Sequence, residues 1–150
     1  MGRDQPLAQL IVHRFLVLHR YHHRASHQLR KRLGISGRQA AILHYLVADG
    51  ARTAREISRY LYVRDATVSP MLEGMERAGW ITRRRCEQDA RKWMIRPTDL
   101  GREMAAKAPL TMLETLRVRL PDLPESELLA IDSALQRLIE IAEIDESLVR

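Results

Sequence analysis

At Trp80 the spacing of apolar residues changes from three-and-four to two, and this change limits the folds open to the chain. Upstream, apolar residues recur at helical intervals. Downstream, Trp80-Ile81-Thr82-Arg83-Arg84 and Trp93-Met94-Ile95-Arg96 read as two short strands around a polar stretch, Cys86 to Arg91. The helical period then returns. The expected order is four helices, a hairpin and two more helices, a mainly α fold with one small β-hairpin.

Boundary signals support each element. The first helix is expected from about Pro6 to Leu33, with Pro6 in its first turn and Gly34 just past its end. Its apolar stripe is Leu7, Leu10, Ile11, Leu18, Ala25 and Leu29, and its length suits a subunit interface. Ser36-Gly37-Arg38-Gln39 and Thr53-Ala54-Arg55-Glu56 are two capping boxes that open the second and third helices. Asp65 is the expected N-cap of a fourth helix with Val68, Leu72 and Met75 on one face, ending at Gly79. Thr98 or Asp99 opens a fifth helix expected to run to just before Pro121, and Pro124 opens a sixth.

Two short helices joined by a tight turn and followed by a basic hairpin form a winged helix-turn-helix. An α-helix fits the major groove of B-DNA, where base edges present distinct donor and acceptor patterns. A basic hairpin beside it reaches phosphates or the adjacent minor groove. Between Arg83 and Arg96 stand six basic residues, Arg83, Arg84, Arg85, Arg91, Lys92 and Arg96, against Glu87 and Asp89. On the fourth helix Thr67, Ser69 and Pro70 lie opposite Val68 and Leu72, and so are expected to point at DNA. Arg38, Thr53, Arg55 and Arg64 stand at helix starts, where phosphate is favoured. The net charge of +6 is uneven: +6 over residues 1–33, +4 over 34–100 and −4 over 101–150. A basic first helix and an acidic last helix can pack together, or both can be solvated faces.

The stretch from Ile35 to Gly101 resembles the multiple-antibiotic-resistance regulator (MarR) family. The resemblance is carried in order by Thr67-Val68-Ser69, Leu72, Met75-Glu76, Gly79-Trp80-Ile81-Thr82-Arg83, Asp89-Ala90-Arg91 and Thr98-Asp99-Leu100-Gly101. It implies three parts: residues 1–34 as a dimerisation helix, 35–100 as the DNA-binding unit and 101–150 as further dimerisation helices. It implies a homodimer whose two reading helices enter successive major grooves of a pseudo-palindromic operator as a repressor. It also implies that Asp89 pairs with Arg91 or a neighbouring Arg and steadies the wing tip while Arg91 enters the minor groove. A pocket for a small aromatic or anionic effector is implied between the dimer helices and the DNA-binding lobe. His19, His22 and His23 on the first helix and His44 on the second are its candidate lining residues.

Two positions depart from the common pattern. Gly74 replaces a residue that is often basic, and Pro70 lies inside a helix, where proline usually kinks the chain. Thr67-Val68-Ser69-Pro70-Met71-Leu72 is similar to the organic-hydroperoxide-sensing branch of the family, which uses a cysteine in its first helix. The only cysteine here is Cys86, on the expected wing beside Arg84 and Arg85, where positive charge favours thiolate and hence redox chemistry. A lone cysteine forms no internal disulfide, and Met1 to Pro6 lacks the pattern of a secretory leader, so a cytoplasmic location is expected. No membrane partner is expected, because no apolar run approaches the roughly 20 residues of a membrane span.

His19, His23 and His27 step by four along one face and could share a metal, but Arg20, Arg24 and Arg30 nearby repel a cation, so no metal or other cofactor is expected. A phosphate loop, a metal-ligand motif and a nucleophile with a placed base are all missing, which argues against an enzyme. The competing reading is a winged-helix module for protein interaction or assembly, against which the basic wing and its Asp-x-Arg tip argue.

Overall fold

The computed structural model describes residues 5–148. Helix α1 (Gln5–Leu33) leads into α2 (Gly37–Asp49), α3 (Ala54–Leu61) and α4 (Asp65–Arg77). The hairpin β1 (Ile81–Arg85) and β2 (Trp93–Pro97) follows, then α5 (Asp99–Lys107), α6 (Met112–Arg119), a 3₁₀ turn at Leu120–Asp122, α7 (Glu125–Ile141) and a final 3₁₀ turn at Glu146–Leu148. The hairpin is antiparallel with Arg83 opposite Ile95 and Arg85 opposite Trp93. A bridge between Arg52 and Ile95 adds one rung on the other side of β2, with N–H···O bonds of 3.1 and 2.8 Å in the two directions.

Both expected capping boxes form. The Ser36 hydroxyl accepts from Gln39 N–H at 3.2 Å while the Gln39 amide oxygen accepts from Ser36 N–H at 2.9 Å. At Thr53 the same exchange is made with Glu56. One core collects Ile42, Leu43 and Leu46 from α2, Ile57 from α3, Val68, Leu72 and Met75 from α4, and Ile81 and Ile95 from the hairpin. Burying side chains of this kind contributes roughly 1.5–3 kcal/mol each. This core fixes α4 and the wing relative to each other. The Leu100-Gly101 pair also has a steric cause, because a Cβ at Gly101 would run into the Trp80 carbonyl, which accepts from Thr98 N–H at 3.0 Å.

Two expectations change. Arg64, not Asp65, is the N-cap of α4, and it makes no side-chain cap bond. Asp65 lies in the first turn, and its carboxylate takes a hydrogen bond from the buried Ser58 hydroxyl of α3, tying the two helices at their turn. Pro70 lies inside α4, which continues through it to Arg77, in keeping with the expected end near Gly79. The long fifth helix is two helices. Proline has no N–H to donate and holds the residue before it in extended backbone, so α5 stops at Pro109 and Ala108 adopts φ −85°, ψ 127°. Thr111-Met112-Leu113-Glu114 is then a third capping box, which starts α6.

His44 of α2 holds this break. Its Nδ1 lies 2.7 Å from Glu114 Oε1, and its Nε2 lies 3.0 and 3.1 Å from the carbonyls of Ala105 and Ala108. When the ring is protonated both nitrogens donate, Nε2 to the two carbonyls and Nδ1 to the Glu114 carboxylate. A cation thus faces the carbonyl end of α5, and an anion faces the N–H end of α6, as the helix dipoles favour. The hydrogen bond to Glu114 raises the His44 pKa, against the opposing effect of burial. Burial alone would push Glu114 up, but His44 and the Thr111 N–H and hydroxyl together hold it below its ordinary value.

A raised histidine contributes stability that is complete below the free value of 6.5 and is lost as pH rises through the raised value. A lowered carboxyl contributes above 4.5 and is lost as pH falls through the lowered value. The pair is therefore at full strength between pH 4.5 and 6.5. In that window His44→Gln is expected to cost about 2 kcal/mol in urea unfolding. The gap from wild type should narrow at alkaline pH. A gap independent of pH would show that the pair is not ionic.

Candidate nucleic-acid interface

Because Val68, Leu72 and Met75 are buried, α4 must turn Thr67, Ser69 and Pro70 to solvent, and all three are exposed. The Ser69 hydroxyl donates to its own helix at the Asp65 carbonyl, 3.2 Å away, which leaves its lone pairs outward. Arg38 and Arg55 are exposed on α2 and α3. The Thr53 hydroxyl is engaged differently: it donates to Glu56 Oε2 at 2.8 Å and accepts from Glu56 N–H. Hydrogen bonding from Thr53 N–H holds the Glu56 carboxyl below its ordinary pKa. A carboxylate therefore already occupies the N-terminus of α3, and Thr53 acts as a cap there. Arg64 donates to the Ser147 carbonyl at 3.2 Å, so the C-terminal turn reaches the start of α4.

The wing divides its cations between bracing and reach. Arg83 shares its face with Ile81, and its Nε lies 3.1 Å from Glu76 Oε2 on α4. The angle misses a hydrogen bond, so this is an ion pair that draws the side chain inward, toward the helix. Arg85 lies over the Trp93 ring, 5.0 Å from its centroid, and donates to the Ala90 carbonyl, which closes the hairpin tip. Arg84 alternates to the other side and is exposed, as is Arg91. Among the described residues no ion pair or hydrogen bond restrains either guanidinium.

Asp89 does steady the tip, though not through an arginine side chain. Its Oδ1 accepts from the Arg91 backbone N–H at 3.1 Å and its Oδ2 faces Lys92 Nζ at 3.6 Å. A short Asx side chain in a tight turn reaches the amide two residues on more readily than the flexible head of a neighbouring arginine. Sequence reasoning missed Trp93, which carries Arg85, and Arg52, which ties the loop before α3 to β2. The first could have been found by pairing Arg85 with Trp93 across the hairpin. The second has no local signal.

His19, His22 and His23 lie together on α1, and His44 stands apart from them on α2. His19 and His23 approach through their Nε2 atoms at 3.2 Å on exposed α1, and His22 borders only a shallow groove with Ser26 and Thr111. Both His44 nitrogens are committed to Glu114, Ala105 and Ala108. His23 and His27 line an open hollow of about 390 Å³ on α1, and a more enclosed cavity of about 340 Å³ lies between α1 and the start of the α5–α6 break. Tyr21, Leu29 and Leu33 give it apolar walls, and Arg24, Arg32 and Lys107 give it positive charge. Cys86 is half-buried on the wing, with its N–H bonded to the Lys92 carbonyl at 2.9 Å. No helix is long and apolar enough to cross a membrane among the described residues, nor do three or more metal-binding side chains gather there.

Comparison with known proteins gives a consistent picture. The model of the MarR family matches residues 16–92. The chain is 33% identical over 115 residues, 75% of each protein, to the organic hydroperoxide resistance transcriptional regulator of Bacillus subtilis (strain 168). It superposes on overoxidized AbfR bound to DNA with a TM-score of 0.61 and 24% identity, covering 94% of this chain and 99% of that one. It superposes on the S. aureus MepR–DNA complex with a TM-score of 0.58 and 24% identity, covering 95% and 99%. At these identities the two structures speak for the fold.

The Arg83–Glu76 pair gives a prediction. Both groups are partly exposed, so Glu76→Gln is expected to lower stability by less than about 1 kcal/mol. Arg83→Ala made in the Glu76→Gln background should then cost less than it does alone. A double-mutant cycle in urea reads the difference, and equal costs would mean that the pair has no energetic content.

Proposed function

Because the chain belongs to the MarR family of DNA-binding transcription regulators, a family of regulators and not of enzymes, we propose that it binds double-stranded DNA as a homodimer and acts as an effector-released repressor. In this reading α4 enters the major groove with Thr67, Ser69 and Pro70 against bases and phosphates. The free guanidiniums of Arg84 and Arg91 on the wing reach the flanking backbone and minor groove. Lys92 and Arg83 support the wing, and Arg38, Arg55 and Arg64 meet phosphates. The observation that carries the reading is the face of α4: its apolar side is used up in the core, and its outward side stands beside a wing with two unrestrained arginines.

The dimer reading is supported by apolar surface that a single chain leaves exposed. On α1, Leu7, Phe15, Leu18 and Tyr21 are each more than half exposed, and Val118, Leu129 and Ile141 near the other end of the chain match them. Large apolar side chains left exposed in such number are what a subunit interface would cover. Residues 1–34 and 101–150 then form the dimerisation arms around the 35–100 DNA-binding unit. The cavity beside Arg24, Arg32 and Lys107 suits an apolar or aromatic anion. Its lining comes from residues of the two arms alone, so occupancy would act on the arms and through them on the spacing of the two reading helices, which must match about one DNA turn, near 34 Å. A cytoplasmic site of action is part of this reading.

Gel shifts over a salt series test the proposal. Arg91→Ala is expected to weaken binding to all duplexes and to reduce the slope of log K against log salt by about 0.9, one phosphate contact. Thr67→Ala or Ser69→Ala should instead change sequence preference, by about 1–3 kcal/mol for a lost base contact. Arg91→Ala binding as tightly as wild type would refute the wing assignment. Binding of wild type without salt dependence would favour the protein-interaction reading.

A further inference from the structure

Four side chains from different parts of the chain form a continuous row between α6 and the wing. The Arg117 guanidinium of α6 lies over the Tyr60 ring of α3, 3.9 Å from its centroid, and also donates to the Tyr60 carbonyl. Tyr60 stacks on Tyr45 of α2, with centroids 4.1 Å apart and planes 2° from parallel. The Tyr45 hydroxyl accepts from Arg52 Nε at 3.1 Å, and the Arg52 guanidinium sits 5.4 Å from the same ring. Arg52 is then bonded through its backbone, in both directions, to Ile95 of β2. We propose that the Arg117–Tyr60–Tyr45–Arg52 row positions the wing according to where α6 lies, which makes Arg117 and Tyr45 positioning residues for DNA binding.

The physical case rests on directionality. A cation over a ring face, two rings in near-parallel contact and a single N–H···O bond each tolerate only small displacements before the attraction falls away. Ordinary apolar packing would let α6 slide over α3. This row registers it. The Tyr60 phenol is half-buried, and burial pushes its pKa up, so the central ring pair is sheltered from water and its contacts are screened less than those of a surface pair. At the far end the signal meets backbone. Because Arg52 and Ile95 share two hydrogen bonds, movement of the Arg52 guanidinium is transmitted to the second strand of the wing through the loop between α2 and α3. The neighbouring His44–Glu114 pair joins α2 to the α5–α6 break, and its carboxylate adds to the upward push on the Tyr60 pKa.

The inference rests on the wing being a DNA contact, and its test separates the two ideas. Two full-length variants are used: Arg117→Met, which keeps the long stem and removes the charge, and Tyr45→Phe, which removes one hydroxyl. Amide hydrogen exchange without DNA reads the row directly. The Arg52 and Ile95 amides are expected to exchange about threefold to tenfold faster in either variant, while those of Leu43 and Ile57 in the core keep wild-type protection.

Gel shifts then read its consequence. Each variant is expected to bind duplex about threefold to tenfold more weakly than wild type. In an Arg91→Ala background, where the wing tip no longer engages, Tyr45→Phe should add no further loss. Unchanged exchange at Ile95, or losses from Tyr45→Phe and Arg91→Ala that simply multiply, overturns the relay. If Arg91→Ala alone leaves affinity intact, the wing reading falls, and exchange at Ile95 still decides whether the row holds the strand.

Discussion

The burial of Val68, Leu72 and Met75 is the constraint from which the rest of the interface follows. A helix has one orientation about its axis, and three large side chains at helical spacing leave it no freedom to roll. Whatever lies opposite them faces solvent. The neighbouring contacts serve the same end. Ser58 fastens Asp65 at the turn between α3 and α4, and Arg83 ties β1 to Glu76 at the other end of α4. The reading helix is thus held at its start, along its length and near its finish. Such support matters because base contacts discriminate only when the side chains that make them are already in place.

The second organising device is the interruption at Pro109. One helix from Asp99 to Arg119 would have been a straight strut. The chain instead forms two helices, and the His44–Glu114 pair pins the joint by meeting the end of one helix and the start of the next. The cavity between α1 and Pro109 opens beside this joint. Geometry therefore places a ligand-sized space beside the break between α5 and α6. The aromatic row from Arg117 to Arg52 links α6 to the second strand of the wing.

Local rules made most of the fold legible from the sequence. The capping boxes at Ser36 and Thr53, the apolar face of α4 and the change of period at Trp80 each act over a few residues, so a linear reading finds them. The break in the fifth helix has an equally local signal in Pro109 and Thr111-x-x-Glu114, but the helical spacing on either side of it masks that signal. Other features were not legible because their partners are distant in the chain. His44 and Glu114 are 70 residues apart, and Tyr45 meets Tyr60 only through the packing of α2 on α3. Histidine on a helix suggests a ligand pocket until its acceptors are seen. Within the wing, alternation with Ile81 already implied that Arg83 points inward and Arg84 outward, and counting charge alone obscured that difference.

The central claim is that two copies of α4 present the same hydroxyl-bearing face at a fixed separation. Selection of bound duplexes from a random library tests it most directly, because the protein reports its own geometry. The account predicts dyad-symmetric sites with half-site centres about one helical turn, roughly 10 base pairs, apart. Recovery of single asymmetric sites, or of no enriched sequence, would contradict it.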